Sequence, residues 1–125
     1  MIIGIGNDIF EVTRMKRELE RDGESLKRQL FTPREIVYCE SKRYPERHFA
    51  ARFAAKEALL KALSTGLTTE MSWHEVEIQN KQNGQPFFML SGKILETANR
   101  LGANKLFLSL SHTEEWASAN VILES

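Results

Sequence analysis

The stretch Glu46–Leu63 constrains this chain more than any other. It is rich in Ala and Leu, has no interior Gly or Pro, and predicts one long helix. At about 100° per residue, Phe49, Phe53, Leu59, Leu60 and Leu63 form one broad apolar stripe. Alanines cover much of the remaining girth. A helix apolar over most of its circumference belongs at the centre of a fold. Arg52 and Lys56 fall inside the stripe, so each needs a partner there, because unpaired buried charge is costly.

The flanking segments supply strands and short helices. Ile2–Val12 is rich in β-branched residues and predicts a first strand. Its alternation puts Ile3, Ile5 and Ile9 on one face, and Asp8, Phe10 and Val12 on the other. Thr13 is placed to cap a polar helix that Gly23 stops after about Asp22. Thr32-Pro33-Arg34-Glu35 combines a capping Thr, a Pro at the first helical position and a Glu that completes a capping box. Trp73–Gln79 and Pro86–Leu90 predict a hairpin around Asn83-Gly84. Ser91 is placed to cap a helix carrying Ile94, Leu95, Ala98 and Leu101, closed by Gly102. Lys105–Thr113 and Trp116–Glu124 predict a second hairpin turning at Glu114-Glu115. The fold class is α+β, with mainly antiparallel strands wrapped around one long central helix.

With 125 residues and no linker-like tract, the chain is expected to form a single domain over 1–125. Cys39 is the only cysteine, which excludes an internal disulfide and a cysteine metal cluster. No apolar run approaches the roughly 20 residues of a membrane span. Met1–Gly6 lacks the basic start of a secretory signal, so the expected location is the cytoplasm. The net charge of zero argues against a general nucleic-acid binder. The charges are nonetheless unevenly spread: residues 1–61 carry 13 Lys+Arg against 10 Asp+Glu, and residues 62–125 carry 4 against 7. A basic half suits an anionic ligand or partner.

Three motifs carry possible chemistry. By itself, Gly4-Ile5-Gly6-Asn7-Asp8 lacks the third glycine and following helix of a dinucleotide loop, and reads as a strand with a glycine bulge and a surface Asp. Glu57 and Lys61 lie four apart on one helix face. They make either an ordinary helix ion pair or a metal-binding carboxylate beside a phosphate-binding ammonium. Ser109-Leu110-Ser111-His112-Thr113 ends a strand with hydroxyls around a histidine, suited to phosphate or sugar contacts. No nucleophile elbow accompanies it.

In their order and spacing these segments resemble the holo-acyl-carrier-protein synthases, short phosphopantetheinyl transferases, over nearly the whole chain. The family opening G-I-G-x-D-I-x-E with a following Arg is matched by Gly4–Glu11 and Arg14. The signature R-F-A-A-K-E-A-x-x-K-A and T-G is matched by Arg52–Ala62 and Thr65-Gly66. Trp73–Ile78, Gly84-Gln85-Pro86 and Ser109–Thr113 match the rest. Two positions depart from the family: Asn7 stands where Thr is common, and Gln85 where Lys is usual.

The resemblance implies the 4′-phosphopantetheinyl transferase fold and transfer of 4′-phosphopantetheine from coenzyme A to a serine of an apo-acyl carrier protein. The products would be the holo-carrier and 3′,5′-ADP, as in fatty acid biosynthesis. It implies Mg²⁺ held by Asp8 and Glu57, with Lys61 at the leaving phosphate. The serine proton would go to a metal-bound water or to Glu57 through a water, with Glu11 a further candidate. Coenzyme A contacts are implied at Arg52, Lys61, Ser64, Gly66, Gly84, Gln85, Pro86, His112 and Thr113. An acidic carrier would meet Arg14, Arg17, Arg21, Lys27 and Arg28, of which the first three share one helix face. A homotrimer with each site shared between neighbours is also implied. Two other classes fit parts of the sequence: a non-catalytic coenzyme A or nucleotide-binding module, and a metal-dependent phosphohydrolase.

Overall fold

The computed structural model describes residues 1–125. Its elements run β1 (Ile2–Glu11), α1 (Val12–Leu30), α2 (Pro33–Glu40), α3 (Pro45–Ala62), a 3₁₀ turn (Trp73–Glu75), β2 (Val76–Asn80), β3 (Pro86–Leu90), α4 (Gly92–Leu101), β4 (Lys105–His112) and β5 (Trp116–Glu124). The strands form two antiparallel sheets, β1-β5-β4 and β2-β3. Helix α3 packs on β1 and β5, as its all-round apolar surface requires. Phe49, Leu59, Leu60 and Leu63 are buried with the helix alanines, opposite Ala117, Ala119, Val121 and Leu123 of β5.

The face of β1 that meets α3 carries Gly4, Gly6, Asp8 and Phe10, and the isoleucine face points outward. A Cβ on Gly6 would lie 2.0 Å from the Ala58 carbonyl oxygen, and one on Gly4 2.5 Å from that of Ala62. The two glycines therefore serve the contact of strand with helix, not a ligand cradle. A bulge falls between Ile2 and Gly4, in line with the glycine-bulge reading. Gly6→Ala is expected to lower stability by about 1–3 kcal/mol or more, because the obstacle is main chain that cannot rotate away. A fall in the urea midpoint at constant m would register it.

Both buried charges have partners. Lys56 Nζ donates to Glu35 Oε1 at 2.7 Å, to the Leu30 carbonyl at 2.8 Å and to that of Trp73 at 3.0 Å. Burial pushes the Lys56 ammonium below its usual pKa, and the Glu35 carboxylate pulls it back up. Glu35 also accepts from the backbone of Thr32 and Ile78, so the pair ties α2, α3 and β2 together. The capping box at Thr32 forms as the sequence indicates.

Three local expectations change, and a fourth is extended: Gly23 interrupts α1 after Asp22 as the sequence indicates, at φ 56° and ψ −134°, and a second helical stretch then runs on to Leu30. Helix α1 begins at Val12 with Glu11 in the capping position, so Thr13 is not the cap. Ser91 holds the capping position of α4 without a side-chain bond, and Glu75 Oε2 accepts from Lys93 N instead. The segment at Trp73 opens as a 3₁₀ turn, because the Ser72 hydroxyl accepts from His74 N and holds the turn before β2 starts.

Candidate active site

Asp8 stands on β1 two residues after Gly6, opposite Ala119 of β5. The close approach brings its carboxylate to the last turn of α3. There Lys61 Nζ donates to Asp8 Oδ1 at 2.9 Å and to the Asn7 carbonyl at 3.0 Å. Of the two readings of Glu57 and Lys61, the ordinary helix ion pair is absent, since the ammonium goes to Asp8. Glu57 takes part in no ion pair or hydrogen bond. Burial raises its carboxyl pKa, and the charge of Asp8 raises it further, against the opposing pull of Lys61. An open cleft of about 320 Å³ lies over Asn7, Asp8, Ile9 and Lys61, with Ser118 and Asn120 on its β5 side.

Two carboxylates and one ammonium thus converge from a strand and a helix. No three His, Cys, Asp or Glu residues group together anywhere in the chain, so Asp8 and Glu57 are the carboxylates that this site offers. Such a pair fits Mg²⁺, a hard ion that takes one or two carboxylates and completes its shell with water and substrate phosphate. A divalent cation would offset the Asp8 charge that adds to the effect of burial at Glu57.

The other expected site residues fall into separate groups. Arg52 lies roughly 140° around α3 from Glu57, on the buried side. Its Nη2 donates to Asn80 Oδ1 at 2.6 Å, and its guanidinium lies 3.8 Å from the centre of the Tyr38 ring. Arg52 Nε has no partner. Ser64 and Gly66 follow α3 in a turn, both with left-handed backbone, at φ 62° and 63°. Gly84 and Gln85 form the exposed tip of the β2–β3 hairpin and Pro86 opens β3, and Asn80 Nδ2 donates to the Gly84 carbonyl. Asn80 therefore joins Arg52 to that hairpin, a role that its position beside a turn gives no reason to expect.

His112 ends β4 in edge contact with His48, ring centres 4.9 Å apart. Burial, then the neighbouring His112, Lys42, Arg52 and Arg47, pushes His48 down to about 4. The native state thus resists a proton that the unfolded chain accepts from its ordinary value of 6.5 downward. The unfolded chain binds more protons in this window, so stability falls as pH drops. The urea midpoint is expected to decline from pH 6.5 to 5, and His48→Gln to flatten that decline. The Thr113 hydroxyl accepts from Glu115 N at 3.2 Å and from Trp116 N at 3.1 Å, which closes the β4–β5 turn.

Arg14, Arg17 and Arg21 share an exposed groove on α1 with Glu18 and Glu20. Arg14 pairs with Glu18 and lies over the Phe10 ring, and Arg21 pairs with Asp22. Arg28 lies beyond the Gly23 kink, where its carbonyl meets His74. Lys27 is engaged by Glu24 and Glu40.

Comparison with known proteins bears on this arrangement. The family described as the 4′-phosphopantetheinyl transferase superfamily matches residues 4–120. The chain belongs to that superfamily. Among its phosphopantetheinyl transferase relatives, a holo-acyl-carrier-protein synthase of Geotalea daltonii is 47% identical over 124 residues, covering 99% of each chain. The crystal structure of the Neisseria meningitidis holo-acyl-carrier-protein synthase superposes with a TM-score of 0.89 at 32% identity, covering all of both chains. That of the Bacillus anthracis enzyme, in complex with coenzyme A (3′,5′-ADP), gives a TM-score of 0.82 at 33% identity over 100% of this chain and 98% of the other. The α+β architecture around α3 is thus the phosphopantetheinyl transferase fold of these synthases.

Proposed function

We propose that this chain transfers 4′-phosphopantetheine from coenzyme A to a serine of an apo-acyl carrier protein, as a single catalytic unit over 1–125. The observation that carries the reading is the convergence of Asp8, Glu57 and Lys61 in a chain of this superfamily. The serine oxygen forms the new bond to phosphorus, and the bond to the 3′,5′-ADP oxygen breaks. Asp8 and Glu57 would hold Mg²⁺, which supplies Lewis-acid neutralisation of phosphate charge when bound. Lys61, on a flexible stem, reaches the charge that develops on the leaving phosphate. Glu57 and Glu11 are this chain's candidates for steering the serine proton, Glu57 through a water. Positioning and electrostatics supply most of the catalysis in such transfers.

Arg52, Ser64, Gly66, Gly84, Gln85, Pro86, His112 and Thr113 form the proposed coenzyme A contacts. The unpartnered Arg52 Nε and the left-handed turn at Ser64 and Gly66 favour that assignment. Arg52 and the hairpin tip tied to it through Asn80 lie around α3 from Glu57, which favours a site completed by a neighbouring copy. A homotrimer also gains support from the outer face of β1, where Ile5 is 73% and Ile9 62% exposed, with Phe107 and Trp116 exposed on the same sheet. Sedimentation at three times the chain mass is the expected result. No helix is long and apolar enough to cross a membrane, in keeping with a proposed cytoplasmic role in fatty acid biosynthesis.

The test is a mass increase on an apo-carrier supplied with coenzyme A and Mg²⁺. Binding without a mass increase would favour a non-catalytic module, and pantetheine phosphate released without carrier would favour a hydrolase. An acidic carrier is proposed to dock on Arg14, Arg17, Arg21 and Arg28. Reversal of Arg14 and Arg21 to Glu is expected to weaken carrier binding by roughly tenfold at low salt, with the loss shrinking as salt rises. Unchanged affinity in a binding titration would remove the assignment.

A further inference from the structure

The Lys61 ammonium is the cation that faces Asp8. It bonds Asp8 Oδ1 at 2.9 Å and the Asn7 carbonyl at 3.0 Å, while Glu57, one turn earlier on α3, has no partner. The two members of the Asp8–Lys61 pair differ in freedom. The Asp8 side chain is 16% exposed and rides on a strand pressed against helix backbone, whereas Lys61 is 54% exposed on a four-carbon stem. The carboxylate is fixed and the ammonium is free to leave. A half-exposed pair is also weak enough to be exchanged.

We propose that Lys61 is the resident counter-ion of Asp8, and that a divalent cation entering between Asp8 and Glu57 displaces it. The exchange trades a single charge on one carboxylate for a double charge on two. It releases the ammonium from Asp8 and Asn7 at the moment when a phosphate-bearing substrate can take it. While it bonds Asp8 and Asn7, Lys61 keeps a single N–H for a phosphate, and metal loading frees the other two. This rests on the reading of Asp8 and Glu57 as the ion's carboxylates.

Two measurements without coenzyme A test the exchange in the full chain. In the first, Mg²⁺ is titrated into wild-type protein while the Lys61 side-chain ammonium is followed by ¹⁵N and ¹³C NMR. The hydrogen-bonded signal is expected to be lost as the ion saturates. In the second, Mn²⁺ affinity is read by electron paramagnetic resonance. Lys61→Met is expected to bind roughly fivefold more tightly than wild type, because the competitor is gone. A Lys61 signal unmoved at saturating Mg²⁺, or a Lys61→Met affinity no tighter than wild type, would overturn the exchange. The double variant Asp8→Asn, Glu57→Gln separates the two readings. If it loses Mn²⁺ while the wild-type Lys61 signal stays put, the metal site stands and the exchange falls. If wild type binds Mn²⁺ no better than this variant, the metal site falls and takes the exchange with it.

Discussion

Asp8→Asn is expected to lower the rate of phosphopantetheine transfer by about a thousandfold or more while leaving the protein folded. Lewis-acid stabilisation of a phosphoryl group is worth several kcal/mol, and each 1.36 kcal/mol is tenfold in rate. Asn keeps the shape and the Lys61-facing oxygen but gives up the charge that a divalent cation requires. The structural loss is small, because the only ion pair broken is a partly exposed one worth at most about 1 kcal/mol. Glu57→Gln should behave alike and with even less effect on stability, since Glu57 has no partner to lose. Mass-shift kinetics on an apo-carrier, beside urea melts of the same samples, separate the two quantities. Wild-type turnover by either variant would remove the metal assignment.

The largest expected effect on stability lies elsewhere. Glu35→Ala should cost about 3–5 kcal/mol, because it strands Lys56 as an unpaired buried charge and frees the Thr32 and Ile78 amides as well. Total stabilities run at about 5–15 kcal/mol, so this variant should be close to the folding threshold and melt well below wild type. The double variant Glu35→Leu, Lys56→Met should recover part of the loss, because replacing both ions removes the orphaned charge but leaves the Thr32 and Ile78 amides without an acceptor. Thermal melts of the three proteins decide the matter. A Glu35→Ala melt within a few degrees of wild type would contradict the buried-pair account.

These two sites differ in how far the sequence reveals them. Local chemistry is legible: the Thr32 capping box, the β2–β3 hairpin and the β4–β5 hairpin depend on residues within a few positions of each other. The burial of α3 is legible too, because its girth leaves no polar face. What periodicity lacks is partnership across distance. It indicates that Lys56 needs a counter-ion, yet Glu35 lies 21 residues away and is brought in by the packing of α2 on α3. Likewise, helix spacing pairs Lys61 with Glu57, whereas the ammonium goes to Asp8 on β1. Only the family resemblance joins Asp8 to that helix. Gly23 breaks the helical run where the sequence indicates, but nothing in the glycine itself shows that a second stretch follows to Leu30.

The meeting of Gly4 and Gly6 with α3 has a consequence for how this molecule can vary. The nearest obstacles are the Ala58 and Ala62 carbonyl oxygens, main-chain atoms with no rotamer to turn aside. Variation there is costly from its first step: a single methyl group must push strand and helix apart, and it shifts the Asp8 carboxylate with them. Mutational drift can thus tune the hairpin tip and the arginine helix by degrees, but this corner resists even the smallest change.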